Sequence, residues 1–121
     1  MTIESFEGLL GKTLTSVDKY DDEMVFTLDN GEKYKLWHCQ DCCENVYIED
    51  IVGSLDDLVG TPLTMAEEVD NVENEPPPDD YVPESYTWTF YKLATIKGYV
   101  TIRWFGTSNG YYSESVDFAK A

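Results

Sequence analysis

Three groups of residues in this chain have the types and spacing to do chemistry. The first is His38-Cys39-Gln40-Asp41-Cys42-Cys43, in which Cys39 and Cys42 have the C-x-x-C spacing of zinc and redox sites. A closed zinc site draws a second pair of ligands from elsewhere, and the chain holds no other Cys or His. A redox role needs the pair at the start of a helix that follows a strand, where the helix dipole lowers a thiol pKa. His38 and Cys42 could also pair as nucleophile and base, but no third group or oxyanion turn accompanies them. The reading that asks least is reduced, buried thiols where a strand passes into a helix. No metal, no cofactor and no catalytic residue is expected.

The second group is acidic. Glu49, Asp50, Asp56 and Asp57 stand opposite the apolar set Ile48, Ile51, Val52, Leu55, Leu58 and Val59, which recurs at helical spacing. The pairs 49/56 and 50/57 are each a heptad apart, so a helix would align all four along about 10 Å of one side. With Glu67 and Glu68 they form a candidate surface for a partner's Lys and Arg, presenting carboxylates much as nucleic acid presents phosphates. Acid–base catalysis would need raised pKa values from burial, and acids facing away from an apolar stripe should be solvated. A solvated face with no partner explains the same residues.

The third group is the C-terminal hairpin around Gly106-Thr107-Ser108-Asn109-Gly110. Arg103, Trp104, Ser108, Asn109, Tyr111 and Tyr112 could stack on and hydrogen-bond a planar ligand such as a nucleotide. Strand alternation sends Arg103 and Trp104 to opposite faces, however, and cross-strand packing of the aromatics accounts for them equally.

Those groups need elements to position them. Residues 3–10 read as a short helix closed by Gly11, and 13–18, 24–28 and 32–37 as strands. Asn30-Gly31 marks a hairpin, since both residues accept positive φ. Residues 44–59 read as the main amphipathic helix, ended by Gly60 and Pro62. A short strand at 63–65 precedes an exposed acidic loop over about 69–84, whose Pro76-Pro77-Pro78 favours polyproline conformation. Residues 86–93, 99–105 and 111–118 read as a three-stranded antiparallel meander. The expected fold is α+β, one domain over 1–121, with an antiparallel sheet packed on the main helix. An exposed edge of the meander would allow a homodimer.

Composition narrows the function. The net charge is −16, and fourteen acids and no Lys or Arg lie between Asp41 and Glu84. Such a chain is repelled by nucleic acid and anionic membranes and attracted to basic protein surfaces. No apolar run reaches the length of a membrane span, and the acidic first residues lack the basic region of a signal peptide, so a cytoplasmic location is expected. P-loop, G-x-G-x-x-G, H-E-x-x-H and G-x-S-x-G motifs are absent, which argues against an enzyme.

Three stretches are similar to an uncharacterised family of small proteins encoded by tailed phages and prophages. They are Trp37-His38-Cys39-Gln40-Asp41-Cys42-Cys43-Glu44-Asn45-Val46-Tyr47-Ile48-Glu49-Asp50, Ser85-Tyr86-Thr87-Trp88-Thr89-Phe90-Tyr91, and the run from Arg103 to Ser113. The resemblance spans about residues 10–118 and brings no activity and no site residue with it. It implies an accessory protein made inside a bacterium, a setting in which inhibition of a host protein is expected.

Overall fold

The computed structural model describes residues 5–70, 76–78, 83–110 and 112–121. Eight strands and two single-turn 3-10 helices make up the described chain: Phe6–Leu9 (3-10), β1 Leu14–Tyr20, β2 Glu23–Leu28, β3 Lys33–Trp37, β4 Asn45–Val52, Leu55–Leu58 (3-10), β5 Met65–Asp70, β6 Ser85–Thr95, β7 Gly98–Ser108 and β8 Asp117–Lys120. They form two antiparallel four-stranded sheets, ordered β1-β2-β3-β8 and β4-β7-β6-β5.

The N-terminal hairpin is where the sequence placed it. Leu28 and Gly31 close the turn through Asn30, and β2 and β3 pair from Met24↔Leu36 to Thr27↔Lys33. In β2, Met24, Phe26 and Leu28 face inward and are buried, while the residues between them are half-buried. Phe6 joins the two layers, its ring meeting Phe26 and Phe118 of the first sheet and Tyr91 of the second. Leu36, Leu93, Val100, Ile102 and Trp104 complete a shared core.

The expected α+β fold is corrected to an all-β one, because the main amphipathic helix does not exist. Residues 45–52 are a strand, and only Leu55–Leu58 turn, as one 3-10 turn. A β-bulge produced the helical spacing. β4 pairs Ile48 with Trp104 and Asp50 with Arg103, so Glu49 is the extra residue. Val46 and Ile48 point inward two apart; the bulge then makes the next inward residue Ile51, three apart. Leu55 follows four residues on and Leu58 three beyond it in the 3-10 turn, which completes the helix-like spacing. The β-branched Val46, Ile48, Ile51 and Val52 favour strand on their own account. Gly53, at φ 106, ends the strand where a Cβ would collide with the Tyr99 carbonyl oxygen.

The meander is corrected as well. β6 and β7 form a long hairpin turning at Ile96-Lys97, but β8 leaves that sheet and pairs with β3 in the other. β6 and β7 are therefore interior, while β8, read as the third strand of the meander, is an edge of the other sheet; the edges are β1, β8, β4 and β5. The first expected helix is one 3-10 turn over Phe6–Leu9, and residues 1–4 lie outside the described residues. The short strand at 63–65 is the longer edge strand β5, running into the start of the expected acidic loop. Of that loop, 71–75 and 79–82 lie outside the described residues; Pro76 accepts a 3.1 Å hydrogen bond from the Trp88 indole. Among the described residues no helix is long and apolar enough to cross a membrane.

Candidate functional site

The chain changes sheets twice, and the two crossings run side by side. Residues 38–44 carry it from β3 to β4, and 109–116 carry it from β7 back to β8. His38 joins them: its Nδ1 lies 2.6 Å from the Ser115 carbonyl oxygen and its Nε2 lies 2.8 Å from Glu44 Oε2. The Cys39 amide donates to Asp117 at 3.2 Å. Glu44, 4% exposed, also accepts the Asp41 and Cys42 amides, each at 2.8 Å, while Gln40 donates to the Glu44 carbonyl at 2.6 Å. The imidazole thus spans the two crossings, one ring nitrogen facing a carbonyl oxygen and the other a carboxyl oxygen. Burial pushes the Glu44 carboxyl up, but the Cys42 amide, His38 and the Asp41 amide outweigh it and hold the group at about 2.

Beside this clamp lies a polar cleft of about 330 Å³. Its floor is the inner face of β6, where Thr87, Thr89 and Tyr91 alternate toward the interior. Glu68 and Asp70 stand directly across the ladder from Tyr91 and Thr89. The second crossing forms the far wall with Tyr112, Ser113 and Glu114. That wall rests on Gly106 of β7, where an added Cβ would meet the Glu114 carbonyl oxygen at 2.8 Å. A side chain at 106 would thus displace the wall.

Electrostatically the cleft is one-sided. Glu114 is 9% exposed, and its two carboxyl oxygens accept from Thr87 at 2.7 Å and Ser108 at 2.5 Å. No Lys, Arg or His lines the cleft among the described residues. Tyr91 is fully buried, and the Glu68 carboxyl directly across the ladder is a hydrogen-bonding neighbour of its hydroxyl. Burial raises the Glu68 carboxyl above its ordinary value against the opposing hydrogen bond from Tyr91, with Asp70 and Glu7 adding to the rise. Burial likewise raises the Tyr91 phenol, and the Glu68 charge, the hydrogen bond to Glu68 and the Asp117 and Asp70 charges push the same way. What the cleft lacks is a positive charge that donates hydrogen bonds.

The structure separates most of the residues that the sequence grouped. Glu49, in the β4 bulge, pairs with Arg103 at 3.1 Å. Asp50 is exposed and accepts the Ile51 amide. Asp56 and Asp57 belong to the second 3-10 turn, where the Asp57 carbonyl accepts from Thr95. Glu67 faces outward opposite Lys92, so of the six acids only Glu68 enters the cleft. Of the C-terminal set, Arg103 lies over the Trp88 and Phe90 rings at 4.8 and 4.6 Å on the outer face, and Trp104 is 1% exposed in the core. Ser108 and Tyr112 reach the cleft, Asn109 is exposed, and Tyr111 lies outside the described residues. The thiols are not buried as expected: all three are exposed, Cys42 and Cys43 are joined as a vicinal disulfide, and Cys39 is free. With no helix following β3, there is no strand–helix junction to cover them. Among the described residues no cluster of three or more His, Cys, Asp or Glu has the geometry to hold a metal.

Sequence reading did not single out Glu44, Asp70, Thr87, Thr89, Tyr91 or Glu114. A signal for the floor was present in Thr87-Trp88-Thr89-Phe90-Tyr91, one face hydroxylated and the other aromatic.

A family model described as Domain of unknown function (DUF7448) matches residues 7–118. The chain belongs to this family. The DUF7448 match takes in both crossings, the clamp and every residue named in the cleft. No curated protein and no solved structure matches the chain significantly.

Proposed function

We propose that this DUF7448 protein acts by binding rather than catalysis, as a phage-type accessory protein in the cytoplasm of a bacterial host. Its acidic surface engages a basic host protein, of the defence or nucleic-acid-handling kind, and inhibits it by presenting carboxylates where that protein expects phosphates. It binds neither nucleic acid nor membrane directly.

One observation carries the reading: among the described residues the cleft is lined by Glu68, Asp70 and Glu114 and by no Lys, Arg or His. A cationic side chain from a partner would pair with those carboxyl groups. The field of the −16 chain steers such a partner toward the cleft at low salt. The resemblance of residues 37–50, 85–91 and 103–113 to phage proteins supports the cellular setting.

The test is affinity capture from a bacterial host with the wild-type chain and with Glu68→Lys/Asp70→Lys. A stoichiometric basic protein held by the wild type, released by salt and lost by the double variant is the expected result. Equal retention by both chains, or recovery of the wild-type chain alone, overturns the reading.

A further inference from the structure

We infer that the outer face of the second sheet is a binding groove for a proline-rich segment of a partner, held in this structure by the chain's own Pro76-Pro77-Pro78. This face lies across β6 from the cleft, so the inference stands apart from the proposed function. Alternation along β6 and β7 sends Trp88 and Phe105 away from the shared core, yet they are only 2% and 3% exposed. Tyr47, Phe105 and Trp88 form one row across β4, β7 and β6, with neighbouring ring centroids 6.0 and 4.7 Å apart. Tyr86 and Phe90 flank that row, 5.8 Å from Phe105 and 5.7 Å from Trp88. The Trp88 indole N–H donates to the Pro76 carbonyl at 3.1 Å. Aromatic surfaces hold proline-rich chains by this chemistry: rings meet pyrrolidines, and a donor meets a carbonyl that polyproline conformation leaves without an internal partner. Because the φ of proline is fixed beforehand, little backbone freedom is lost on docking.

Charge makes the chain's own segment a poor occupant. Glu73, Glu75, Asp79 and Asp80 flank the three prolines in sequence, in a protein of net charge −16. Pro76 and Pro78 are exposed, so the segment rests on the groove rather than filling it. A partner segment with the same prolines between Lys or Arg residues keeps the ring and carbonyl contacts and replaces repulsion by attraction. Thr107, opposite Tyr86 on this face, also lines a cavity of about 240 Å³ with Glu84, which gives one basic flanking side chain a place to lie.

The experiment titrates the full chain with two end-blocked peptides, each carrying lysines at both ends. One has a central run of prolines and the other has alanines in the same places, so the general attraction of cations to an acidic protein cancels. The indole N–H resonances give the readout, with Trp37 and Trp104 as internal references for Trp88. The proline peptide should shift the Trp88 signal and bind about tenfold more tightly than the alanine peptide. Pro76→Gly/Pro77→Gly/Pro78→Gly weakens the occupant in cis and should raise the proline-peptide affinity by about another tenfold, since a competitor on the same chain lowers apparent affinity by the fraction of sites it holds. Trp88→Phe keeps a ring but loses the N–H donor, and should weaken the peptide. Equal binding of the two peptides, an unmoved Trp88 signal, or an affinity unchanged by Trp88→Phe overturns the inference. So does a triple variant that binds no better than wild type. A triple variant that fails to fold overturns it as well, because the proline segment would then be a fixed part of the fold rather than a displaceable occupant.

Discussion

Glu44 and Glu114 are two buried carboxylates, one on each sheet-crossing segment, and they are satisfied in opposite ways. Glu44 meets the His38 ring and two backbone amides. Glu114 meets the hydroxyls of Thr87 and Ser108. The first set ties the two crossings to each other, whereas the second holds one crossing against the floor of the cleft and brings no basic side chain to it. The contrast divides the molecule into a clamp that holds two crossings together and a cleft that one of those crossings walls.

Replacing Glu44 should do the most damage. Glu44→Ala leaves His38 Nε2 and two amides without Glu44 and loosens the first crossing, so its melting temperature should fall further than that of any other single acid replacement. The acid limb of the stability curve reports the same group. Its folded pKa lies below its ordinary value, so the stability it contributes is complete above about 4.5 and is lost as pH falls toward about 2. The difference between wild type and Glu44→Gln should therefore shrink across that window in acid-denaturation melts. A variant that melts no lower than Glu114→Gln would erase the distinction between the two carboxylates.

Gly106→Ala comes next. The new methyl group meets the Glu114 carbonyl, so the wall must shift, at a cost of about 1–3 kcal/mol in denaturant unfolding and with loss of cation binding. Glu114→Gln should change stability by less than about 1 kcal/mol, since an amide still bonds two hydroxyls, while removing charge from the cleft. Binding of a cation should fall and folding should not, which is the opposite of the Glu44 outcome.

The smallest effects concern Tyr91 and Glu68. Tyr91→Phe removes the hydroxyl beside Glu68 and should change the stability of the free chain by about 1 kcal/mol or less in thermal melts. The folded phenol titrates above its ordinary value, so wild-type stability is complete below about pH 10 and falls as pH rises beyond it; the variant should lack that fall. Because Glu68 also titrates above its ordinary value, cation affinity should drop as pH falls through that raised range, and titrations at stepped pH would show it.

Some of this was legible in the residues. Asn30-Gly31 is a local signal, and the hairpin around it is as read, although only Gly31 takes a positive φ while the Asn30 side chain accepts the Glu32 amide. The pairing of β6 with β7 follows from their alternation and the short turn between them. The main helix failed because one bulged residue, Glu49, turns a period of two into a step of three, and the 3-10 turn after it continues the pattern. Periodicity cannot separate a bulged strand from a helix when the interruption falls in mid-run. The acidic ridge failed with the helix that was to align it. Glu68 alone of that set reached the cleft, because strand alternation sends it inward and Glu67 outward.

The sequence by itself determined the properties that act locally or sum over the chain. These are a strongly anionic protein with an acid-only middle, the β2–β3 and β6–β7 hairpins, and the hydroxylated face of β6. Only the tertiary structure decided which sheet β8 joins, and with it where residues 109–116 lie. That crossing brings Ser115 to His38, 77 residues earlier, and Glu114 to Thr87, 27 residues earlier. Contacts at such separations depend on how two sheets stack around Phe6 and close against Gly106. No window of local pattern contains that packing, and so none could show the cleft.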